Sequence, residues 1–187
     1  MRQTTLAQRE KLPDALRVLL EQYPRALWES HRNFDGLTRF WLDRHLMFRR
    51  ALAQWQDDTQ AFLDKGRDAR AHGQMTARIG GFLINELHGH HHIEDAHYFP
   101  VLSAAETRLA RGFELLDEDH HALDGELHAL TEAANTHLRR LSQGKDATDS
   151  AGAMLQRLNG FERFLDRHLI DEEELVVPVI LHHALRF

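Results

Sequence analysis

The sequence predicts an all-α protein, an up-down four-helix bundle that follows an N-terminal helical extension. Apolar residues recur every three or four positions along four long stretches, which is the period of helices buried on one face. No stretch shows the alternation of a half-buried strand, and the four prolines stand near apparent helix ends. The 187-residue chain can build one domain with a substantial core, so we expect residues 1–33 to form the extension and residues 34–187 the bundle.

The extension carries one modest stripe of leucines, and Pro24 bends or ends it. The first core helix is expected to open with Asn33 or Asp35 as its N-cap and to run to about residue 65. A histidine interrupts its apolar stripe, which reads Leu37, Trp41, His45, Phe48, Leu52 and Trp55.

The remaining three core helices show the same interruption of an apolar stripe by polar residues. We expect the second helix over about 68–99, stopped by Pro100, and the third over about 106–141. The polar segment 142–150 is the clearest loop, and the fourth helix follows it. The residues that stand where leucines would otherwise be are His90 and Glu94, then His120, then His168 and Glu172.

Two segments, HHHIEDAHYFP at 90–100 and HLIDEEELVVP at 168–178, each place a glutamate four residues after a histidine. Positions i and i+4 lie on one helix face, so each pair offers a nitrogen and a carboxylate to one point. A buried carboxylate without a partner costs several kcal/mol or takes up a proton, whereas bound dications remove that penalty. The pattern therefore predicts a metal site, for two metals, against the alternatives of structural His–Glu pairs or solvent-facing acids.

The predicted metal ligands are His45, His90, Glu94, His120, His168 and Glu172. His91, His121 and Asp124 remain open as further ligands, because each lies next to a predicted ligand or in a second i,i+4 pair. The acids that flank the glutamates are expected at the surface or around the ligands, and they are Asp95, Asp171, Glu173 and Glu174. The chain has no cysteine, so any metal is held by nitrogen and oxygen, which suits iron, manganese or zinc.

These segments, with DHHALD at 119–124 and the first-helix His45, resemble the hemerythrin-like family of cation-binding four-helix bundles over about residues 37–180. The resemblance implies an oxo- or hydroxo-bridged centre of two iron ions, with Glu94 and Glu172 as bridging carboxylates. It assigns His45 and His90 to one iron, and His120 and His168 to the other. The chain departs from the oxygen carriers of the family at Asp124, where those proteins have a second histidine on the third helix.

The function predicted from these features is binding or sensing of O2 or a related small oxidant such as NO or peroxide. Iron storage, delivery or iron-centre repair, and an enzyme that consumes peroxide or NO, remain alternatives, so enzymatic activity is left open. The formal net charge of −6 gives no reason to expect nucleic acid or an anionic membrane as partner. The N-terminus lacks the apolar core of a signal peptide, and we expect a cytoplasmic location; no feature indicates a protein partner.

Overall fold

A computed structural model of the chain describes residues 5–186. The described residues are 83% helical and contain no strand, which confirms the prediction of an all-α helical bundle. None of the described helices is long and apolar enough to cross a membrane. Residues 1–4 of the predicted extension and residue 187 of the predicted bundle lie outside the described residues.

Four helices are long: α2 at Gly36–Leu63, α3 at Ala69–Ile93, α5 at Ala110–Ser142 and α6 at Thr148–His183. Two are short, α1 at Val18–Gln22 and α4 at Phe99–Ala105. Single turns of 3-10 helix lie at Leu6–Gln8, Asp14–Leu16, Arg25–Leu27 and Thr107–Leu109, and a π-helical turn at Glu94–Tyr98 joins α3 to α4.

Asp35 caps α2, as one of the two sequence alternatives predicts. Its Oδ1 accepts hydrogen bonds from the Thr38 backbone nitrogen at 2.8 Å and from the Thr38 hydroxyl at 2.9 Å. An aspartate in this position satisfies a backbone N–H that has no partner inside the helix. The start of α2 is therefore decided by a local side chain.

The helix that was expected to stop at Pro100 continues to Ala105, so that boundary prediction was wrong. Proline lacks the N–H that an α-helix interior requires. Here the π turn comes first, and Pro100 falls in the first turn of α4, where its N–H is not needed. Such turns occur often at functional sites, and this one contains Glu94.

The chain forms two compact units, and each contains one stretch of all four long helices. Within residues 5–186, the first comprises 5–46, 91–122 and 165–186, and the second comprises 47–90 and 123–164. The core of the first unit includes leucines of the N-terminal segment together with residues from α4, α5 and α6. The boundary between an extension at 1–33 and a bundle at 34–187 stays a prediction.

The second unit contains a buried histidine pair that the sequence reading did not count among the ligands. His72 Nε2 lies 2.8 Å from His137 Nε2, and both rings are fully buried. Asp58 lies 2.6 Å from His72 Nδ1, and the Ser150 hydroxyl lies 2.9 Å from His137 Nδ1. Burial, together with the neighbouring His72, lowers the pKa of His137 to about 4.

Candidate metal centre

Five of the six predicted ligands belong to the first unit and are buried there. They come from three long helices and the π turn, and none is more than 2% exposed: His45, Glu94, His120, His168 and Glu172. Burial of two carboxyl groups and three imidazoles in an apolar bundle requires compensating partners.

Glu172 lies between imidazoles from two helices. Its Oε2 is 3.5 Å from His45 Nε2 on α2 and 3.4 Å from His168 Nε2 on its own helix, α6. One carboxylate that approaches imidazoles from two helices is an arrangement that suits a bridging ligand.

Glu94 approaches the same region from the π turn. Its Oε1 accepts a hydrogen bond of 2.8 Å from the Trp41 indole, and its Oε2 lies 3.7 Å from His120 Nε2. Ligand atoms of His45, Glu94 and Glu172 all lie within 4.8 Å of one another. Trp41 thus fixes one carboxylate oxygen and leaves the other directed toward an imidazole.

His91 is the residue that the sequence left open and that the structure brings to the cluster. It is 4% exposed, and its ring stacks on His120 with centroids 4.1 Å apart and planes 10° apart. His91, His120 and His168 offer ligand atoms within 4.8 Å of one another. The sequence signal was the i,i+4 pair that His91 forms with Asp95.

The other two open candidates lie elsewhere. The exposed His121 donates its Nδ1–H to the carbonyl of Asp117, 2.8 Å away on the same helix. Asp124 is exposed and lies 3.2 Å from His88 Nδ1 in the second unit. Both belong to the solvent-facing side of α5.

His90 is the last residue of the second unit and is followed in the chain by His91. It is 9% exposed, and its ring packs against Phe48 with centroids 5.1 Å apart. Its role as a ligand stays a prediction.

Each of three candidate imidazoles has a carboxylate near its Nδ1, while its Nε2 faces Glu94 or Glu172. A carboxylate on the far nitrogen is the usual way in which proteins orient a histidine that binds metal through the other nitrogen. The pairs are His45 with Glu173 at 3.0 Å, His120 with Asp95 at 2.8 Å, and His168 with Asp119 at 3.7 Å.

The inward-facing nitrogen and oxygen atoms of these side chains are better placed to bind a cation than to hydrogen-bond to one another. Within residues 5–186, neither carboxyl oxygen of Glu172 has a hydrogen-bond partner, and neither does His120 Nε2. Burial raises the pKa of Glu172 well above its ordinary value, and the nearby charge of Glu94 raises it further. Buried polar atoms of this kind are normally satisfied, and a cation among them would satisfy nitrogen and oxygen together.

A third cluster, of Glu106, His182 and His183, also has ligand atoms within 4.8 Å of one another. Here, however, Arg108 donates to both oxygens of Glu106 at 2.7 Å and lowers the pKa of Glu106 to about 2. The carboxylate is already neutralised, so we interpret this cluster as an ion-pair network.

The family model described as hemerythrin HHE cation binding domain matches residues 36–180. The chain belongs to this hemerythrin family. No curated protein and no solved structure matches it. Binding of metal cations is what the family implies for this hemerythrin-family protein, and the buried His/Glu groups are the residues that could hold them.

Proposed function

We propose that this hemerythrin-family protein holds two iron ions and binds or senses O2 or a related small oxidant such as NO or peroxide. The observation that carries the proposal is the position of Glu172, whose Oε2 lies within 3.5 Å of imidazole nitrogens from two helices. A buried carboxylate that reaches two imidazoles suits a pair of metal ions that share it. Iron, bound by nitrogen and oxygen donors with an open position, supplies reversible redox chemistry and binding of small oxidants.

The proposed ligands are the six that the sequence predicts, with His91 added: His45, His90, Glu94, His91, His120, His168 and Glu172. Glu94 and Glu172 are the proposed bridging carboxylates. His91 comes from α3, and it supplies an imidazole that the sequence pattern of the family would place on α5 at Asp124. The chain therefore loses no imidazole by having aspartate at that position.

This donor set leaves room for one small ligand. Five imidazoles and two carboxylates would supply fewer donor atoms than two six-coordinate iron ions take, so a position would be left for a small ligand. Because the described donors are almost completely buried, a diatomic molecule or peroxide fits this position and a bulky substrate does not.

The outer acids support a redox role for the centre. Carboxylates near the Nδ1 atoms of His45 and His120 make these imidazoles better donors, which stabilises the more highly charged state of a metal. The ring of Phe99 stacks on His120 with centroids 5.4 Å apart and limits the access of water on that side.

The test is reconstitution with ferrous iron without oxygen, followed by metal analysis and visible spectra before and after addition of O2, NO or peroxide. We expect two irons per chain and a spectral change with at least one of these ligands. Glu172→Gln is expected to abolish the change, and Glu132→Gln, at an exposed position of α5, is the matched control. Stoichiometric zinc or manganese in place of iron, or two irons without any spectral change, would end the proposal.

The same preparation separates the proposal from its alternatives. Continuous consumption of peroxide or NO would identify an enzyme, and rapid loss of iron to a mild chelator would identify a protein that stores or delivers iron. A centre that retains its iron and binds O2, NO or peroxide reversibly predicts neither continuous consumption nor rapid loss of iron.

A further inference from the structure

The N-terminal segment, here called the strap and defined as residues 5–35, lies outside the part of the chain that matches the family. Four of its leucines are nonetheless buried in the core of the first unit: Leu12, Leu16, Leu19 and Leu20. Trp28 is 2% exposed, and its indole donates to the carbonyl of Tyr23 at 2.7 Å. The strap is therefore packed within the unit that contains the candidate metal centre.

Arg9 of the strap is only 6% exposed and binds two buried acids. Its Nε donates to Asp171 at 2.6 Å, its Nη1 donates to Asp119 at 3.2 Å, and its Nη2 bonds Asp119 as well. Asp119 lies 3.7 Å from His168 Nδ1, and Asp171 directly precedes Glu172. One guanidinium from the strap thus neutralises two acids beside the candidate ligands.

Arg25 of the strap makes a parallel contact on the other side of the site. Its Nη1 donates to Glu173 Oε2 at 2.6 Å, and Glu173 Oε1 lies 3.0 Å from His45 Nδ1. The guanidinium also lies over the Trp28 ring, 4.5 Å from its centroid, which holds it in place. A chain of contacts therefore runs from Arg25 through Glu173 to a candidate ligand.

We infer that the strap contributes to the metal centre. Its Arg9 and Arg25 are positioning residues that set the retention of metal and the redox potential. This inference rests on the proposed function. Glu173 contacts His45 Nδ1 at 3.0 Å, Asp119 lies 3.7 Å from His168 Nδ1, and the arginines partly neutralise the negative charge of these acids. Without Arg25, Glu173 loses the contact that holds it in place, so His45 is oriented less firmly and metal is released faster. The negative charge of Glu173 is then also less neutralised, which favours the oxidised metal and lowers the potential.

Arg25 allows a test in which the fold is preserved. Its side chain is 50% exposed, and the buried Glu173 keeps its 3.0 Å contact with His45 Nδ1 when the arginine is replaced, so removal of Arg25 costs less stability than removal of a fully buried partner. Arg108 and Glu106 form the matched control, because Arg108 is 60% exposed, its glutamate is 5% exposed, and neither contacts a proposed ligand. Arg9 is less suitable, because its removal leaves two buried acids without their partner.

The experiment compares wild type, Arg25→Gln, Arg25→Lys and Arg108→Gln as full-length, metal-loaded proteins. For each protein we would measure metal content, the rate of metal release to a chelator and the midpoint potential, and, after removal of the metal, the unfolding midpoint in urea. We expect Arg25→Gln to release metal at least about tenfold faster and to have a lower midpoint potential, with an unchanged unfolding midpoint of the metal-free protein. Arg25→Lys should restore much of the wild-type release rate and midpoint potential. Arg108→Gln should match wild type in all of these measurements.

If Arg25→Gln and Arg108→Gln release metal equally slowly and share the wild-type potential, the inference is overturned while the metal site stands. If the wild type retains zinc or manganese, the iron proposal fails, but the difference in release rate still decides the role of Arg25. A wild-type protein that retains no metal overturns both.

Discussion

Replacement of Glu172 by glutamine should have opposite effects on the metal-free and the metal-loaded protein. In the metal-free chain, both oxygens of this fully buried carboxyl group have no hydrogen-bond partner within residues 5–186. An amide of the same shape carries no charge, so we expect Glu172→Gln to unfold at a higher urea concentration than wild type. In the loaded chain the order should reverse, because the amide is a far weaker metal ligand than the carboxylate.

The magnitude follows from the separation of the two inner carboxyl groups. Ligand atoms of Glu94 and Glu172 lie within 4.8 Å of each other, and two unit charges at that distance repel by about 3 kcal/mol at an effective dielectric of about 20. Protonation of one group relieves part of this, so Glu172→Gln should add about 1 to 3 kcal/mol to the metal-free unfolding free energy. Metal at a hundred times its dissociation constant should stabilise wild type by about 2.7 kcal/mol and the variant by much less.

The assay is urea unfolding followed by far-ultraviolet circular dichroism, with and without bound metal, at one pH. Glu132→Gln, at an exposed position of α5, controls for the chemical change itself and should leave both free energies unchanged. The reasoning is refuted if metal-free Glu172→Gln is less stable than wild type by about 2 kcal/mol or more. It is refuted equally if metal stabilises the variant as much as it stabilises wild type.

Three further predictions follow from individual contacts. His91→Ala should weaken metal retention about tenfold or more, whereas His121→Ala, at an exposed position, should not change the metal content after dialysis. Trp41→Phe removes the N–H that binds Glu94, so it should lower the metal-free unfolding free energy by about 1 to 3 kcal/mol, as urea unfolding would show. His137 has its pKa lowered to about 4, so the unfolded chain takes up this proton first as the pH falls below about 6.5, and stability decreases. Wild type should therefore lose about 2 kcal/mol more than His137→Gln between pH 7.5 and pH 5, measured by urea unfolding at both values.

The helical period and the i,i+4 pairs were readable from the sequence because both are local. The stripes predicted the four long helices, and Asp35 was one of the two predicted caps, because a cap's hydrogen bonds reach only two or three residues along the chain. Pro100 was misread as a stop because a π turn, which shifts the start of the next helical segment, has no clear local signature.

The position of His91 at the site could not be predicted from the helical period of the sequence alone. Two consecutive histidines lie about 100° apart around a helix, and the pattern of one helix does not reveal which neighbours cover the second position. In the tertiary structure His120 and His168 lie beside His91, whereas Asp124 on the same α5 is exposed. The neighbouring helices therefore decided which histidine lies beside His120 and His168.

The sequence by itself determined the fold class, the family and the paired histidines and glutamates, because repetition along single helices encodes all of them. It left the strap as a peripheral segment and the flanking acids as surface or surrounding residues. Only the tertiary structure brought Arg9 to Asp171, 162 residues further along, and Arg25 to Glu173, 148 residues further along. The physical reason is that charge compensation of buried acids depends on which distant segment folds over them, and no local pattern records that choice.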